Sequence, residues 1–164
     1  MLRHGEAVER VGRYANHDDA RPLTPKGRRR VRRVAGRLRQ WDVSFDIILS
    51  SPLVRARQTA EIVAEVLKAR EQIAFARHLL PGSDGPAFLE ELNVIAKREH
   101  HLESILVVGH EPCLSRLTSL LLTGECDLPV DFKKAGLCKL SLTAIRPGPG
   151  ATLEWMVVPK LLGA

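Results

Sequence analysis

The hydrophobic positions of this chain change period several times, and each change marks an element. Val31, Val34, Ala35 and Leu38 fall at i, i+3, i+4 and i+7, the inner stripe of an amphipathic helix. Arg21-Pro22-Leu23-Thr24-Pro25 predicts where it starts, with Thr24 as a hydroxyl N-cap and Pro25 at the first helical position. Residues 45–49 form a strand-length apolar run that breaks at Ser50-Ser51-Pro52, and a second helix comes next with Ile62, Val63, Val66 and Leu67 on its apolar face. A short strand at 73–76 leads through a Pro/Gly-rich turn at 81–86 into a helix that turns Phe88, Leu89, Leu92, Ile95 and Ala96 inward. Residues 104–108 are almost continuously apolar, as in a strand covered on both faces of a parallel sheet. Gly109-His110-Glu111-Pro112 ends that run, and 113–122 reads as a helix closed by Gly124. Two late strands, 137–145 and 152–158, are joined by Arg146-Pro147-Gly148-Pro149-Gly150, a connection short enough to predict an antiparallel pair.

Strands alternating with helices predict an α/β fold with no repeat or linker, and residues 1–164 are expected to form one domain. The most apolar run, 117–122, is far shorter than the ~18–20 residues a bilayer crossing needs, so no membrane role is expected. At 45% hydrophobic and 27% charged, the composition is globular and excludes a disordered or collagen-like chain. The formal charge of +6 suits an anionic ligand without choosing among nucleic acid, acidic protein and phosphate. Cys113, Cys126 and Cys138 are odd in number and carry no CxxC pair, which reads as reduced thiols. With no apolar leader after Met1, the cytoplasm is the expected compartment.

Three punctuated sites share one geometry. Arg3-His4-Gly5 opens the chain, Ser51-Pro52-Leu53-Val54-Arg55 comes after a predicted strand, and Gly109-His110-Glu111-Pro112 after another. In an open α/β sheet the ligand crevice lies beyond the carboxyl ends of the strands, so Arg3, His4, Arg55 and His110 can converge there. Two guanidiniums and two imidazoles around one point suit a phosphoryl group. Gly5 would let backbone approach the ligand, and Pro112 at a helix start would leave free N–H groups near His110.

Arg3-His4-Gly5-Glu6, the segment from Ser51 to Ala60, and Val108-Gly109-His110-Glu111-Pro112 resemble the three signatures of the histidine phosphatase superfamily, the phosphoglycerate mutase-like proteins. Arg21-Pro22-Leu23-Thr24-Pro25-Lys26-Gly27 and the short chain resemble its SixA-type phosphohistidine phosphatases, the compact branch without an inserted lid. The resemblance implies a three-layer αβα sandwich whose mostly parallel sheet has an antiparallel edge. It implies a phosphatase in which His4 attacks phosphorus and carries it as phosphohistidine, Arg3 and Arg55 clamp the phosphoryl oxygens, and His110 donates a hydrogen bond. It also implies that no metal or cofactor is needed. The substrate would be phosphohistidine on a protein, such as an acidic phosphotransfer domain; a small-molecule phosphomonoester or sugar phosphate is the alternative.

Many members supply a carboxylic acid between the second and third signatures, but the stretch from His78 to Ser83 contains none. The remaining proton-donor candidates are Asp18, then Asp19, Glu6 and Asp84, with Asp18 favoured. Only Met1-Leu2 precede Arg3, so either the first strand is a stub or the chain begins upstream.

The first helix carries Lys26, Arg28, Arg29, Arg30, Arg32, Arg33, Arg37 and Arg39. A solvated face with Arg stems over apolar edges explains it most simply, and docking of an acidic partner comes second. Nucleic acid is not expected, because 4% aromatic residues leave few stacking platforms. His100-His101 suit a helix end, His17 lies near the expected site entrance, and His78 and Arg57 read as surface residues. Gln58 and Thr59 read as anchors for the second helix. A monomer is expected.

Overall fold

The computed structural model describes residues 1–69, 72–83, 85–98, 102–148 and 150–163. Asp84, His100 and His101 therefore lie outside the described residues.

Six strands form one sheet in the order β3-β2-β4-β1-β5-β6. Strands β1 (Leu2–Arg3), β2 (Ile47–Ser50), β3 (Ile73–Phe75) and β4 (Ile105–Gly109) run parallel, and β5 (Leu137–Leu142) and β6 (Ala151–Val157) add the antiparallel edge. Helices α1 (Pro25–Gln40) and α2 (Val54–Leu67) cover one face, and α3 (Gly85–Arg98) and α4 (Cys113–Thr123) the other. The period-2 rule sorts the strand residues between the two cores. Ile48, Leu106 and Val108 join Val31, Val34, Leu38 and Val63 on one side, while Leu49 and Val107 meet Phe88, Leu89, Leu114 and Leu117 on the other. This is the expected three-layer αβα sandwich.

Helix α1 begins as the sequence predicts: Thr24 Oγ1 accepts the Gly27 N–H at 2.9 Å and Pro25 is the first helical residue. Gly124 closes α4 in the left-handed conformation, with φ of 89°. Most strand limits differ from the pattern by one residue, and two differ by more. The 45–49 run contributes its ladder only from Ile47, because the Asp46 carboxylate accepts the Glu103 and Ser104 N–H groups and turns the chain into the sheet. Strand β5 stops at Leu142 rather than 145, where Thr143 and Gly150 close the loop backbone. Strand β1 is a two-residue stub, yet it is fixed on both sides. The His4 N–H just beyond it reaches Gly109 O at 3.0 Å, the Arg3 N–H reaches Gly136 O at 3.1 Å, and Ala135 N–H donates to both Arg3 O and His4 O.

Among the described residues no helix is long and apolar enough to cross a membrane. Cys113 and Cys138 are buried free thiols and Cys126 is exposed. The basic face of α1 is solvated along most of its length, and Arg33 and Arg37 also donate to Gly163 O and Leu162 O of the C-terminal turn.

Candidate active site

The carboxyl ends of β1, β2 and β4 lie side by side, because Arg3 pairs with Gly109 and Ser50 with Val108. The segments that leave these three strands are therefore delivered to one place. His4 leaves β1, Ser51 leads from β2 into α2 and Arg55, and His110 leaves β4. The His4 and His110 rings stand 4.9 Å apart at their centroids, tilted by 54°. An open cleft of about 280 Å³ is lined by Arg3, His4, Arg55 and His110 together with Asp18, Arg21, Lys134 and Glu111. The four residues read from the sequence do converge.

His4 is nearly buried, and one ring nitrogen is accounted for. Its Nδ1 lies 2.7 Å from Gly5 O, an atom that can only accept, so Nδ1 carries the proton. Burial lowers the imidazole pKa to about 3; the Gly5 carbonyl opposes that, and Arg55, Arg3 and Lys134 deepen it. At neutral pH the ring is uncharged and Nε2 keeps its lone pair. His110 is lowered to about 2, first by burial and then by His4 and Arg55. Its Nε2 sits 2.8 Å from Ser51 Oγ.

Arg3 donates from Nη1 to Phe132 O, and Arg55 donates from Nη1 to Asp18 O at 2.7 Å and from Nη2 to Asp18 Oδ2 at 2.9 Å. Arg3 Nε, Arg55 Nε and His110 Nδ1 are buried without protein partners. Unpaired buried polar groups are costly, and the two guanidinium N–H groups beside one cleft fit an anion that would accept from them. Among the described residues no three of His, Cys, Asp and Glu gather as metal ligands would.

Asp18 enters the cleft in a part different from the expected one. Its second oxygen takes Arg21 Nε at 2.8 Å and Nη2 at 2.7 Å, so one carboxylate bridges two guanidiniums. Partial burial pushes its pKa up, but Arg55 and Arg21 outweigh that and hold it below the ordinary carboxylate range. A carboxylate so placed braces Arg55 and keeps no proton to donate. Of the other candidate acids, Glu6 pairs with Lys26 at 3.6 Å.

Gly5 also differs from its expected role. Its N–H donates to Thr59 Oγ1 at 3.1 Å, its carbonyl holds the His4 proton, and a Cβ there would lie 2.8 Å from Val31 Cγ2. The missing side chain serves packing against α1, and Gly5 orients the imidazole. Thr59, whose hydroxyl donates to Arg55 O at 2.7 Å, thereby ties α2 to the segment that orients His4. Gln58 anchors the other flank by accepting the Leu23 N–H. The N–H groups near His110 are partly used up: Pro112 is the N-cap of α4 rather than its first residue, and Leu114 N–H donates to His110 O at 2.9 Å. His17 is exposed, His78 pairs with Glu91, and Arg57 pairs with Glu61 on the surface.

Arg21, Lys134 and Glu111 were not expected among the site residues. Glu111 adjoins His110 and could have been suspected on that ground. Lys134 gives no signal, since only the path of the loop carries it to the cleft.

Residues 1–77 match the model of the histidine phosphatase superfamily, branch 1. The phosphohistidine phosphatase SixA of Escherichia coli is 30% identical over 162 residues, covering 97% of this chain and 92% of its own length. The chain belongs to the histidine phosphatase superfamily. An uncharacterised protein of Picosynechococcus is 38% identical over 148 residues, covering 89% of this chain and 86% of its own. A solved structure of the protein histidine phosphatase SixA complexed with tungstate superposes with a TM-score of 0.82 at 27% identity, over 98% of this chain and 96% of that one. The resemblance to SixA therefore extends over almost the whole chain, and the chain is a phosphatase of this superfamily.

Proposed function

We propose that this phosphatase removes the phosphoryl group from phosphohistidine on a protein, through a covalent intermediate on His4. The observation that carries the reading is the single tautomer of His4: Nδ1–H is spent on Gly5 O, so Nε2 is the nucleophilic atom beside two guanidiniums. The similarity to SixA supports the substrate class, and the open cleft supports a substrate presented on a protein surface.

In the proposed cycle Arg3 and Arg55 hold the phosphoryl oxygens while Nε2 attacks phosphorus. Charge spreads over those oxygens in the transition state, so fixed cations supply most of the stabilisation. One cation about 4 Å from a unit charge contributes about 4 kcal/mol at an effective dielectric of 20. Only the part that grows toward the transition state raises the rate. His110 donates to the transferring group, drawing on the proton it gains once a dianion offsets the cost of charging it. Asp18 holds Arg55 in register. Water then attacks the phosphohistidine and releases phosphate. The chain's own residues suffice for every step, so turnover should persist in a chelator.

The deciding experiment offers wild type and His4→Ala a phosphohistidine peptide, with sugar phosphates in parallel and a chelator present. Wild type should release phosphate from the peptide through an acid-labile phosphoenzyme, and His4→Ala should do neither. Preference for sugar phosphates would favour the small-molecule alternative, and activity retained by His4→Ala would remove the nucleophile.

A further inference from the structure

The reaction needs a proton at the leaving atom, and neither Asp18 nor the two histidines have one to spare for it: the His4 proton is held by Gly5 O, and His110 donates to the transferring phosphoryl group. Asp18 is ionised between Arg55 and Arg21, and His4 and His110 are neutral imidazoles. Glu111 lines the same cleft at the end of β4, next to His110. Its Oε1 is shielded from solvent and has no hydrogen-bond partner, an arrangement that a carboxyl group tolerates far better with a proton than without. We infer that Glu111 is the proton donor of the phosphatase, acting on the leaving atom of the substrate. This deepens the proposed function and rests on it.

Burial points the same way, against the cations of the cleft. Burial raises the carboxyl pKa, and Asp131 adds to this; Arg3 and hydrogen bonds from Ser115 oppose it without cancelling it. On α4, Cys113 is a buried thiol held neutral, with its pKa raised to about 11, and contributes no charge. Lys134 across the cleft opposes protonation, but the phosphoryl dianion that the cleft would bind is a like charge beside Glu111 and favours it. Glu111 thus holds its proton most firmly when the substrate is in place.

The step balances. His4 Nε2 forms a bond to phosphorus as the phosphorus–nitrogen bond of the substrate breaks; its electron pair stays on the departing imidazole nitrogen, which takes the Glu111 proton. In the second half, water attacks the phosphoenzyme and gives a proton to the Glu111 carboxylate. The phosphorus–Nε2 pair returns to His4, and phosphate leaves with both residues as they began. Nothing in this step is particular to nitrogen. The same proton would serve an alkoxide, so Glu111 would let the site act on alkyl phosphate monoesters as well.

The test compares leaving groups in wild type and Glu111→Gln. An alkyl phosphate needs a proton on departure, whereas p-nitrophenyl phosphate departs readily as the phenolate. Glu111→Gln should lose about 100-fold or more in kcat/KM on the alkyl phosphate and no more than about 3-fold on p-nitrophenyl phosphate. The alkaline limb of the wild-type pH profile on the alkyl phosphate should vanish in Glu111→Gln and persist in Glu111→Asp. Equal losses on both substrates, or an unchanged alkaline limb, would overturn the inference. If circular dichroism shows Glu111→Gln unfolded, Glu111→Asp decides alone: a displaced alkaline limb supports the donor and an unmoved one rejects it. A wild type that forms a phosphoenzyme but shows no leaving-group difference from Glu111→Gln sinks only the donor. A wild type inert on both esters but active on the phosphohistidine peptide overturns this inference alone, and one inert on all three defeats the proposed function with it.

Discussion

Two glycines of the same helix should respond to the same substitution with opposite signs. In α1, a Cβ on Gly27 would lie 2.1 Å from Glu6 O and 3.0 Å from Glu6 C and N, all backbone atoms. A Cβ on Gly36 would meet nothing within 4 Å. Alanine is the better helix former by about 0.5–1 kcal/mol, and Gly36→Ala should gain that amount. Gly27→Ala gains the same but must open a gap of about 1.3 Å to reach ordinary contact at 3.4 Å, against backbone that has no rotamer to change. Overpacking of this kind costs about 1–3 kcal/mol, and an unyielding neighbour puts it at the upper end, so the net loss should be about 2 kcal/mol. For a chain of this size that is about 4–8 °C in Tm, against a rise of about 1–4 °C for Gly36→Ala. Moving α1 off Glu6 also disturbs Gly5, whose carbonyl holds the His4 proton at 2.7 Å, so Gly27→Ala should lose kcat as well. Urea unfolding of the two variants, with turnover measured below the transition, checks all of this. A Gly27→Ala protein as stable as wild type would refute the claim that the Glu6 backbone and the start of α1 are locked together.

Stability should fall steeply in mild acid. His4 and His110 titrate near 3 and 2 in the folded chain but near 6.5 when unfolded, so between those limits the unfolded state binds two protons that the folded state refuses. Their stabilising contribution is complete above about pH 6.5 and is lost as pH falls toward 3, at up to about 2.7 kcal/mol per pH unit when both count. The urea midpoint of wild type should drop between pH 6.5 and 5 and that of His4→Gln less so; a flat wild-type curve would contradict the burial of the two rings. Asp18→Asn should lower kcat about 10-fold by loosening Arg55, while inorganic phosphate inhibits more tightly because the cleft loses a negative charge. Its alkaline limb should be unchanged, and a lost limb would return the donor's part to Asp18.

The fold was legible because periodicity is a consequence of burial. Ile48 and Leu49, or Leu106 and Val107, point to opposite cores and therefore read as uninterrupted apolar runs, while Val31, Val34 and Leu38 meet one core and read as a stripe. Strand limits were less legible, since β2 starts where Asp46 finishes binding two distant N–H groups. At the site, Arg3, His4, Arg55 and His110 could be read because each sits at the end of a regular element, so topology alone brings them together. The bridge from Asp18 to Arg55 and Arg21 could not, because it depends on the course of an irregular segment and on side-chain reach. Gly5 was misjudged for a related reason: a glycine in a sequence shows that a Cβ is absent, and only the packing shows whether ligand or helix fills the space.

The two walls of the cleft differ in construction. One is made of strand ends and of the 131–136 turn whose Ala135 N–H grips Arg3 and His4 together. The other, bearing Asp18 and Arg21, is irregular chain fastened to α2 at two residues, Asp18 through its carbonyl and carboxylate to Arg55 and Leu23 through its N–H to Gln58. Substitutions in that outer wall that spare Asp18 and Arg21 could retune which molecules are admitted while the phosphorus-handling side stays as it is. New preferences could thus arise by exchanging a few residues between Val8 and His17, so long as Asp18 and Arg21 stay to brace Arg55.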